Sequence, residues 1–251
     1  MAPVITCQAI SKSFVLRTNR QYLLKERVLA WIRPQFRESH QLFWALRDVS
    51  FTVEPGEAFG VIGPNGSGKT TLFRIMAGIF QPTSGTVSAE GRIAPSLPLG
   101  VGFHPELTGR ENIHLNAAIF GFTTREILEV EDSIIDFSEI GSFIDAPTKN
   151  YSAGMQVRLG FSIALEVKPD IFLIDEVFAV GDEHFQQKCL RRLAEERRAQ
   201  RTFVVATHNL QFVEETCDRA ALLVKGQMVT VGAAKEVVRS EERRVGKECR
   251  L

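Results

Sequence analysis

The 251-residue chain contains few cysteines and no cysteine motif. Its four cysteines are widely separated and form no C-x-x-C pair: Cys7, Cys189, Cys217 and Cys249. Zinc sites and disulfide frameworks depend on closely spaced or recurring cysteines, so the sequence predicts neither. Reduced thiols in a cytosolic compartment are the simpler interpretation.

The chain also lacks a long apolar run and an excess of either charge. No run approaches the roughly 18 residues that a membrane-spanning helix requires, and residues 1–10 lack the basic start and apolar stretch of a signal peptide. The 30 basic and 30 acidic residues cancel, which gives no argument for nucleic acid as a partner. If the protein acts at a membrane, we expect another chain to span it.

Most of the chain alternates between apolar strands and helical segments. Strands are predicted at residues 4–10, 45–53, 58–62, 171–175, 203–206 and 220–224. Helices are predicted at 71–77, 183–200 and 210–216, and across most of 108–168, where Glu111, Thr124 and Ser152 stand at helix starts. This alternation predicts an α/β fold whose parallel sheet is covered on both faces.

A phosphate loop of the form G-x-x-x-x-G-K-[ST] occupies residues 63–70. Its glycines allow the backbone N–H groups to point at a triphosphate, and the helix that follows adds its positive end. Lys69 is expected to neutralise the β- and γ-phosphates, and Thr70 to ligate Mg²⁺. The predicted nucleotide-binding residues of this loop are Gly63, Pro64, Asn65, Gly66, Ser67, Gly68, Lys69, Thr70 and Thr71.

Two acids close the apolar strand at 171–175. Asp175 and Glu176 are therefore predicted at the carboxyl edge of the sheet, beside the phosphates. Asp175 suits the metal, directly or through water. Glu176 is placed to polarise the attacking water as the general base.

Together with Tyr-Ser-Ala-Gly-Met at 151–155, these motifs resemble the nucleotide-binding subunit of an ABC transporter. That family carries a Leu-Ser-Gly-Gly-Gln type motif at a helix start, from which this chain departs at Tyr151, Ala153 and Met155. The resemblance implies a homodimer that sandwiches two ATP molecules. In it, Ser152 and Gly154 would contact the γ-phosphate bound to the opposite subunit.

The resemblance assigns roles to three further residues. Asp182 matches the family's dimer-contact loop. His208 follows the strand at 203–206 and matches the switch histidine that senses the γ-phosphate. By position, Phe14 is the aromatic that stacks on adenine, although the segment after it makes Trp44 a competitor.

The family's coupling loop normally carries a glutamine that links the nucleotide to the membrane partner. Residues 97–112 occupy that region and contain no glutamine. His104 and Glu106 are the candidates to replace it, and the sequence does not choose between them.

Residues 15–43 form a basic segment with interleaved aromatics, six Arg or Lys against two acids. Leu23, Leu24, Val28 and Ile32 fall near helical spacing, which predicts a short amphipathic helix. This insertion, the coupling-loop stretch and residues 175–189 resemble the ATPases of O-antigen, capsule or teichoic acid exporters. There the insertion lies near the membrane interface, close to where the lipid-linked glycan enters. A basic helix that packs on its own domain is the alternative.

Residues 239–249 match the in-frame translation of a common short-read sequencing adapter. We therefore predict that the natural sequence departs near Val238 and that 239–251 is an artefact. A solvated, charged C-terminal helix is the alternative. Whether a glycan-binding domain follows in the natural protein stays open.

For residues 1–238 the resemblance implies a P-loop ATPase of ABC type. It would have a mostly parallel sheet core, an antiparallel β subdomain and a helical subdomain at about 105–168. ATP and Mg²⁺ are the implied cofactors, and a separate integral-membrane permease is the implied partner, at the cytoplasmic face of the bacterial plasma membrane. The rivals are the ATPase of an importer or drug exporter, and a soluble ABC ATPase of DNA repair or translation.

Overall fold

The computed structural model describes residues 2–18, 39–96, 103–175 and 182–248. The strands are β1 (Ile5–Thr18), β2 (Ser39–Val53), β3 (Ala58–Ile62), β4 (Ser84–Ala89), β5 (Ile93–Ser96), β6 (Ile171–Asp175), β7 (Thr202–Ala206), β8 (Arg219–Val224) and β9 (Gln227–Ala233). The helices are α1 (Lys69–Met76), α2 (Gly109–Ile119), α3 (Thr124–Ser138), α4 (Ala153–Glu166), α5 (Glu183–Arg198), α6 (Leu210–Thr216) and α7 (Ala234–Glu248). Within the described residues, no helix combines the length and the apolar character that crossing a bilayer would require.

A six-stranded sheet lies at the centre of the fold, in the order β5-β6-β7-β3-β8-β9. β5, β6, β7, β3 and β8 run parallel, whereas β9 pairs antiparallel with β8. Every residue of β3, β6 and β7 is buried, which explains their unbroken apolar sequences. The predicted α/β fold is confirmed, with one antiparallel strand at an edge of the sheet.

A three-stranded antiparallel sheet, β2-β1-β4, forms a second layer. β1 and β2 extend further than the sequence predicts, with Phe14 opposite Phe43 and Thr18 opposite Ser39. Both ends of the 15–43 insertion are therefore strands of one long hairpin, in which each strand satisfies the other's backbone N–H and C=O groups. The amphipathic helix predicted around 23–32 lies outside the described residues.

The buried side chains of α1 fill the space between the two sheets. Leu72, Phe73 and Ile75 are at most 1% exposed and share one core with residues of β1, β2 and β3. Each such side chain contributes about 1.5–3 kcal/mol of transfer free energy when fully buried. Helices α4 and α5 cover part of the opposite face of the central sheet, and α6 and α7 cover another part. The turn between β3 and α1 consequently packs against both sheets.

Residues 108–168 form mostly helix, as the sequence predicts, but two helix starts differ by one or more residues. Thr108 and Thr123 are the N-caps of α2 and α3, rather than Glu111 and Thr124. In each case a glutamate three residues later, Glu111 or Glu126, returns a hydrogen bond to the cap residue. These are capping boxes, which satisfy two otherwise unpaired N–H groups at each helix start.

Helix α7 begins at Ala234 and continues through Glu248, into the tail that matches a sequencing adapter. Val237 and Val238 pack against β8 and α6 in a buried cluster. Within the tail, Arg244 pairs with Glu241 at 2.6 Å. A helical conformation does not test where these residues come from, so the artefact stays a prediction.

Candidate nucleotide-binding site

The phosphate loop joins β3 to α1, and three glycines determine its shape. Gly63, Gly66 and Gly68 have φ angles of 147°, 75° and 108°, which other residues rarely adopt. A Cβ atom on Gly63 would lie 2.0 Å from the carbonyl oxygen of Leu223, and one on Gly68 would lie 2.6 Å from that of Ala45. Gly66 faces open space. The loop is thus clamped at two glycines and open at the third.

Ser67 and Lys69 supply polar atoms inside this loop. The buried Lys69 donates from Nζ to the carbonyl oxygens of Gly63, at 2.8 Å, and Pro64, at 3.2 Å. Ser67 is 2% exposed, and its Oγ has no hydrogen-bond partner among the described residues. An unpartnered buried hydroxyl costs free energy, which a bound ligand with polar oxygens would recover.

The start of α1 is suited to an anion. Its N-cap is the left-handed Gly68, and no side chain caps the helix there. The first backbone N–H groups of a helix have no partner within the helix, and they carry its positive partial charge. A polyphosphate in the loop would accept from them, so the observed geometry fits the nucleotide that the sequence predicts.

Asp175 and His208 follow neighbouring strands of the central sheet. β6 pairs with β7 up to Asp175 and Ala206, and β7 pairs with β3 up to Ala206 and Val61. Because these strands are parallel, their carboxyl ends share one edge with the phosphate loop. The N–H of Thr207, just after β7, also donates to the carbonyl oxygen of Val61 in β3 at 3.3 Å, which extends the pairing of these two strands toward the phosphate loop. Asp175 is 7% exposed, whereas His208 is exposed.

Glu176, the predicted general base, lies outside the described residues. Asp182, a few residues later, is the N-cap of α5 and accepts from the Phe185 N–H at 2.9 Å. It also pairs with Arg158 of α4. The Phe185 N–H and, second, Arg158 lower the pKa of Asp182 to about 2, so this carboxylate stays ionised at neutral pH.

Ser152 and Gly154 lie on a separate element, at the start of α4. Ser152 is the N-cap, and its Oγ accepts from the Met155 N–H at 3.2 Å. Both Ser152 and Gly154 are exposed, and a Cβ on Gly154 would approach only Ser152. This helix start is therefore open to a second molecule. Tyr151, where the chain departs from the family motif, has a structural role. Its side chain is buried, and its hydroxyl donates a hydrogen bond to the carbonyl oxygen of Phe143 at 2.7 Å.

The two candidate adenine-stacking aromatics lie on neighbouring strands. The Phe14 ring packs edge-on against Phe80, with 5.8 Å between the ring centroids. Trp44 is next in the chain to Ala45, whose carbonyl oxygen approaches Gly68 of the phosphate loop. Arg47 lies over the Trp44 ring at 5.9 Å. The assignment of adenine to Phe14 stays a prediction.

The described part of the coupling-loop region, from residue 103, is organised by a residue that the sequence analysis missed. Asn112 is fully buried, accepts from the His104 N–H at 2.7 Å and donates to the carbonyl oxygens of His104, Leu107 and Thr108. The exposed Glu106 pairs with Lys149 at 2.7 Å. The sequence does contain a signal for this role: Asn112 lies on the apolar face of a helix, and a buried amide there requires hydrogen-bond partners.

Thr70 and Asp175 are the predicted metal ligands. Thr70 is half-buried in the first turn of α1, and Asp175 ends β6. In the part of the chain that the structure describes, no group of three or more His, Cys, Asp or Glu could hold a metal by itself. Mg²⁺ usually binds through one or two protein oxygens together with substrate phosphates and water, so this sparse donor set fits a metal that arrives with a nucleotide.

Comparison with known proteins identifies the family of this chain. Residues 46–179 match the family model described as ABC transporter. The chain is 46% identical over 237 residues to the O-antigen export system ATP-binding protein RfbB of Myxococcus xanthus, covering 93% of this chain and 54% of that protein. It is 42% identical over 238 residues to the protein of the same name from Klebsiella pneumoniae, covering 95% and 97%. The teichoic acids export ATP-binding protein TagH of Lactiplantibacillus plantarum is 46% identical over 78% of this chain and 54% of its own length.

A solved structure shares the fold. It is the dimeric, post-hydrolysis state of an ATP-binding cassette bound to ADP and Pi, with a TM-score of 0.71 and 19% sequence identity. The match covers 92% of this chain and 98% of that one. The chain spans about half the length of two of the three relatives above and nearly all of the third. From the matched model and these identities, the chain belongs to the ABC transporter family, as an ATP-binding ATPase subunit.

Proposed function

We propose that this ATPase powers the export of a lipid-linked polysaccharide through a separate membrane permease. The observation that carries ATP hydrolysis is the phosphate loop, where clamped glycines, a buried lysine and an unpartnered serine hydroxyl surround an uncapped helix start. Export of a polysaccharide is supported by relatives named for O-antigen and teichoic acid export. The assignment of a polysaccharide substrate therefore rests on sequence similarity, whereas the assignment of ATP hydrolysis rests on the geometry of the phosphate loop.

In this proposal the nucleotide is held by the loop residues 63–71. Backbone N–H groups and Lys69 would neutralise the phosphates, while Thr70 and Asp175 would hold Mg²⁺. When bound, Mg²⁺ would neutralise charge that develops on the phosphate oxygens. Glu176 would take a proton from the attacking water, and His208, exposed beside Asp175 on the same sheet edge, would contact the γ-phosphate. An aromatic, Phe14 or Trp44, would stack on the adenine.

A homodimer would complete each site. Ser152 and Gly154 are exposed at an N-terminal helix end, a position that attracts anions. We infer that this end of one subunit closes over the γ-phosphate held by the other. Closure with ATP and opening after hydrolysis would move a permease. The subunit would then act at the cytoplasmic face of the bacterial plasma membrane.

The 15–43 insertion is the proposed contact for the glycan-bearing lipid. Its six basic residues would attract anionic headgroups or a pyrophosphate linkage, and its aromatics suit a membrane interface. The described ends of the insertion add exposed apolar side chains, with Val15 at 58% and Leu42 at 57% exposure. These two residues lie opposite each other on the β1–β2 hairpin.

The sandwich mechanism is tested by Glu176→Gln. We expect kcat for ATP to fall by about 10²–10⁴-fold because the proton acceptor is lost. Binding of ATP should persist, so the variant should accumulate as an ATP-bound dimer in light scattering after size exclusion. Glu214→Gln is the matched control, since Glu214 is exposed on α6. A Glu176→Gln chain that stays monomeric with saturating ATP would refute the sandwich.

The export assignment has its own test, in vesicles that contain the cognate permease. Neutralising Arg17, Arg20, Lys25 and Arg27 together should impair glycan export while basal ATPase activity is retained. The control neutralises four basic residues that are exposed elsewhere: Arg125, Arg191, Arg198 and Lys235. Unchanged export in the first variant would reject the role of the insertion. Transport of a small drug or a nutrient instead of a glycan would reject polysaccharide export.

A further inference from the structure

A cavity of about 520 Å³ lies between α5, α6 and the face of the central sheet that these helices cover. Its walls include Leu190 and Leu193 of α5 and Phe212 of α6. Its floor consists of buried apolar side chains from β3, β6 and β7: Ala58, Ile174, Phe203 and Val205. Pockets that bind small molecules usually have volumes of about 300–1,000 Å³ and mostly apolar walls, and this cavity has both properties.

The fold leaves part of these apolar walls in contact with water. Leu190 is 39% exposed, whereas Leu193, about one turn later on α5, is 8% exposed. On α6, Phe212 is only half-buried, although the next residue, Val213, is fully buried. Covering apolar surface with an apolar ligand stabilises the complex by about 25 cal/mol per Å², so these side chains favour an apolar occupant.

The polar side chains of the cavity collect at one end. α5 leads into β7 and α6 leads into β8, so both helices end beside the amino ends of the parallel strands. The residues that line this end are Arg197, Arg198, Gln200, Glu215 and Thr216. The phosphate loop follows the carboxyl end of β3, so this mouth lies at the opposite edge of the sheet from the nucleotide site.

The charged groups at the mouth differ in their pairing. Arg197 binds Asp218 at 2.9 Å, and Glu215 accepts a hydrogen bond from Gln211 at 2.9 Å. Arg198 is exposed and forms no ion pair with any residue that the structure describes. The C-terminal ends of α5 and α6 carry partial negative charge, which the two arginines in the last turn of α5 offset. The guanidinium of Arg198 is therefore the group at the mouth that is available to an anion.

We propose that this cavity binds a single-chain amphiphile with a carboxylate head, of the fatty-acid class. The acyl chain lies between α5 and α6, over the apolar floor. The carboxylate accepts hydrogen bonds from Arg198, whose planar guanidinium can donate two parallel bonds to it. The site is separate from the phosphate loop, and the proposal does not depend on the proposed function.

The test is isothermal titration calorimetry of the nucleotide-free, full chain with dodecanoate below its micelle-forming concentration. Dodecyltrimethylammonium, which has the same chain and a cationic head, is the matched probe. We expect saturable binding of dodecanoate at one site, at least about tenfold tighter than binding of the ammonium probe, because a charge-assisted hydrogen bond holds only the carboxylate.

One variant tests the position of the acyl chain. Ala194 is exposed on α5 and lines the cavity, so Ala194→Trp would occupy the cavity from its open side without overpacking the core. The affinity for dodecanoate should fall at least about tenfold. Ala118→Trp is the control, since Ala118 is exposed on α2, away from the cavity. Parent-like affinity in Ala194→Trp would overturn the proposed site.

A second variant tests the head group at an exposed position, where the fold is not disturbed. Arg198→Gln should weaken dodecanoate about tenfold and leave the ammonium probe unchanged. Arg191→Gln is the control, because Arg191 is exposed on the same helix but does not line this cavity. Equal losses in the two variants, or tighter binding of the ammonium probe to the parent chain, would overturn the carboxylate assignment. Because the titration contains no ATP, its result stands whether or not the proposed export function holds.

Discussion

The phosphate loop and the start of α4 are two helix N-termini prepared in opposite ways. At α1 the N-cap is a left-handed glycine without a side-chain cap, and the loop is clamped between the two sheets. At α4 the N-cap is Ser152, whose hydroxyl already accepts from Met155, and the first residues are exposed. One site needs the whole fold to form. The other is formed by a single helix start and its capping serine.

Different interactions stabilise the two regions. Around the phosphate loop, apolar burial and backbone contacts hold the geometry, and these are insensitive to pH and little affected by salt. Around α4, the neighbouring helices are joined by partly exposed ion pairs, such as Arg158 with Glu139 and Arg110 with Glu131. Exposed pairs contribute little stability and are screened by salt, so we expect the packing of these helices to be more sensitive to salt than the phosphate loop.

The largest effect is expected from breaking the clamp at Gly63. Gly63→Ala would place a methyl group 2.0 Å from the Leu223 carbonyl oxygen, so the free energy of unfolding should fall by at least about 3 kcal/mol. Gly66→Ala is the matched control. It meets open space and pays only for its left-handed backbone, about 1–2 kcal/mol. Urea unfolding without nucleotide measures both, and equal losses would show that the clamp is not rigid.

A smaller effect is expected at the second helix start. Ser152→Ala removes the cap of α4 and should lower the free energy of unfolding by about 1 kcal/mol. Ser152→Asp keeps a cap and should restore stability, yet its carboxylate would repel a γ-phosphate, so ATPase activity should stay low. Thermal unfolding and ATPase assays of both variants separate the two roles of this serine. Full activity in Ser152→Asp would contradict the proposed phosphate contact.

The smallest effect is a change in acid sensitivity. Hydrogen bonds from Thr123 and the pairing with Arg92 lower the pKa of Glu126 from 4.5 to about 2. A carboxylate whose folded-state pKa is lowered stabilises the fold above its unfolded pKa, and that contribution is lost as the pH falls from about 4.5 to about 2. Glu126→Gln should therefore flatten the loss of stability in this window, measured by urea titrations at several pH values. Glu129→Gln, on the same helix, is the control, and an identical slope in both variants would contradict the assignment.

Local signals in the sequence predicted the elements that carry the phosphate loop. The bounds of β3 and β6 coincide with the predicted strands because each is a short, fully buried apolar run. Ser152 was predicted as a cap for a similar reason, since a cap acts on residues two or three positions away. No local pattern predicts the length of β1 and β2, because the strand pairing between residues 14–18 and 39–43 joins segments that are distant in the chain.

The sequence by itself determined which motifs the chain carries: the glycines and lysine of the phosphate loop, two acids after an apolar run and a serine at a helix start. These motifs are contiguous, so their geometry follows from a few neighbouring dihedral angles. Only the tertiary structure decided the order of the strands in the central sheet, and that Arg158 reaches Asp182 and Glu139. Those relations join residues far apart along the chain, and through-space contacts exist only once the sheet and helices have packed.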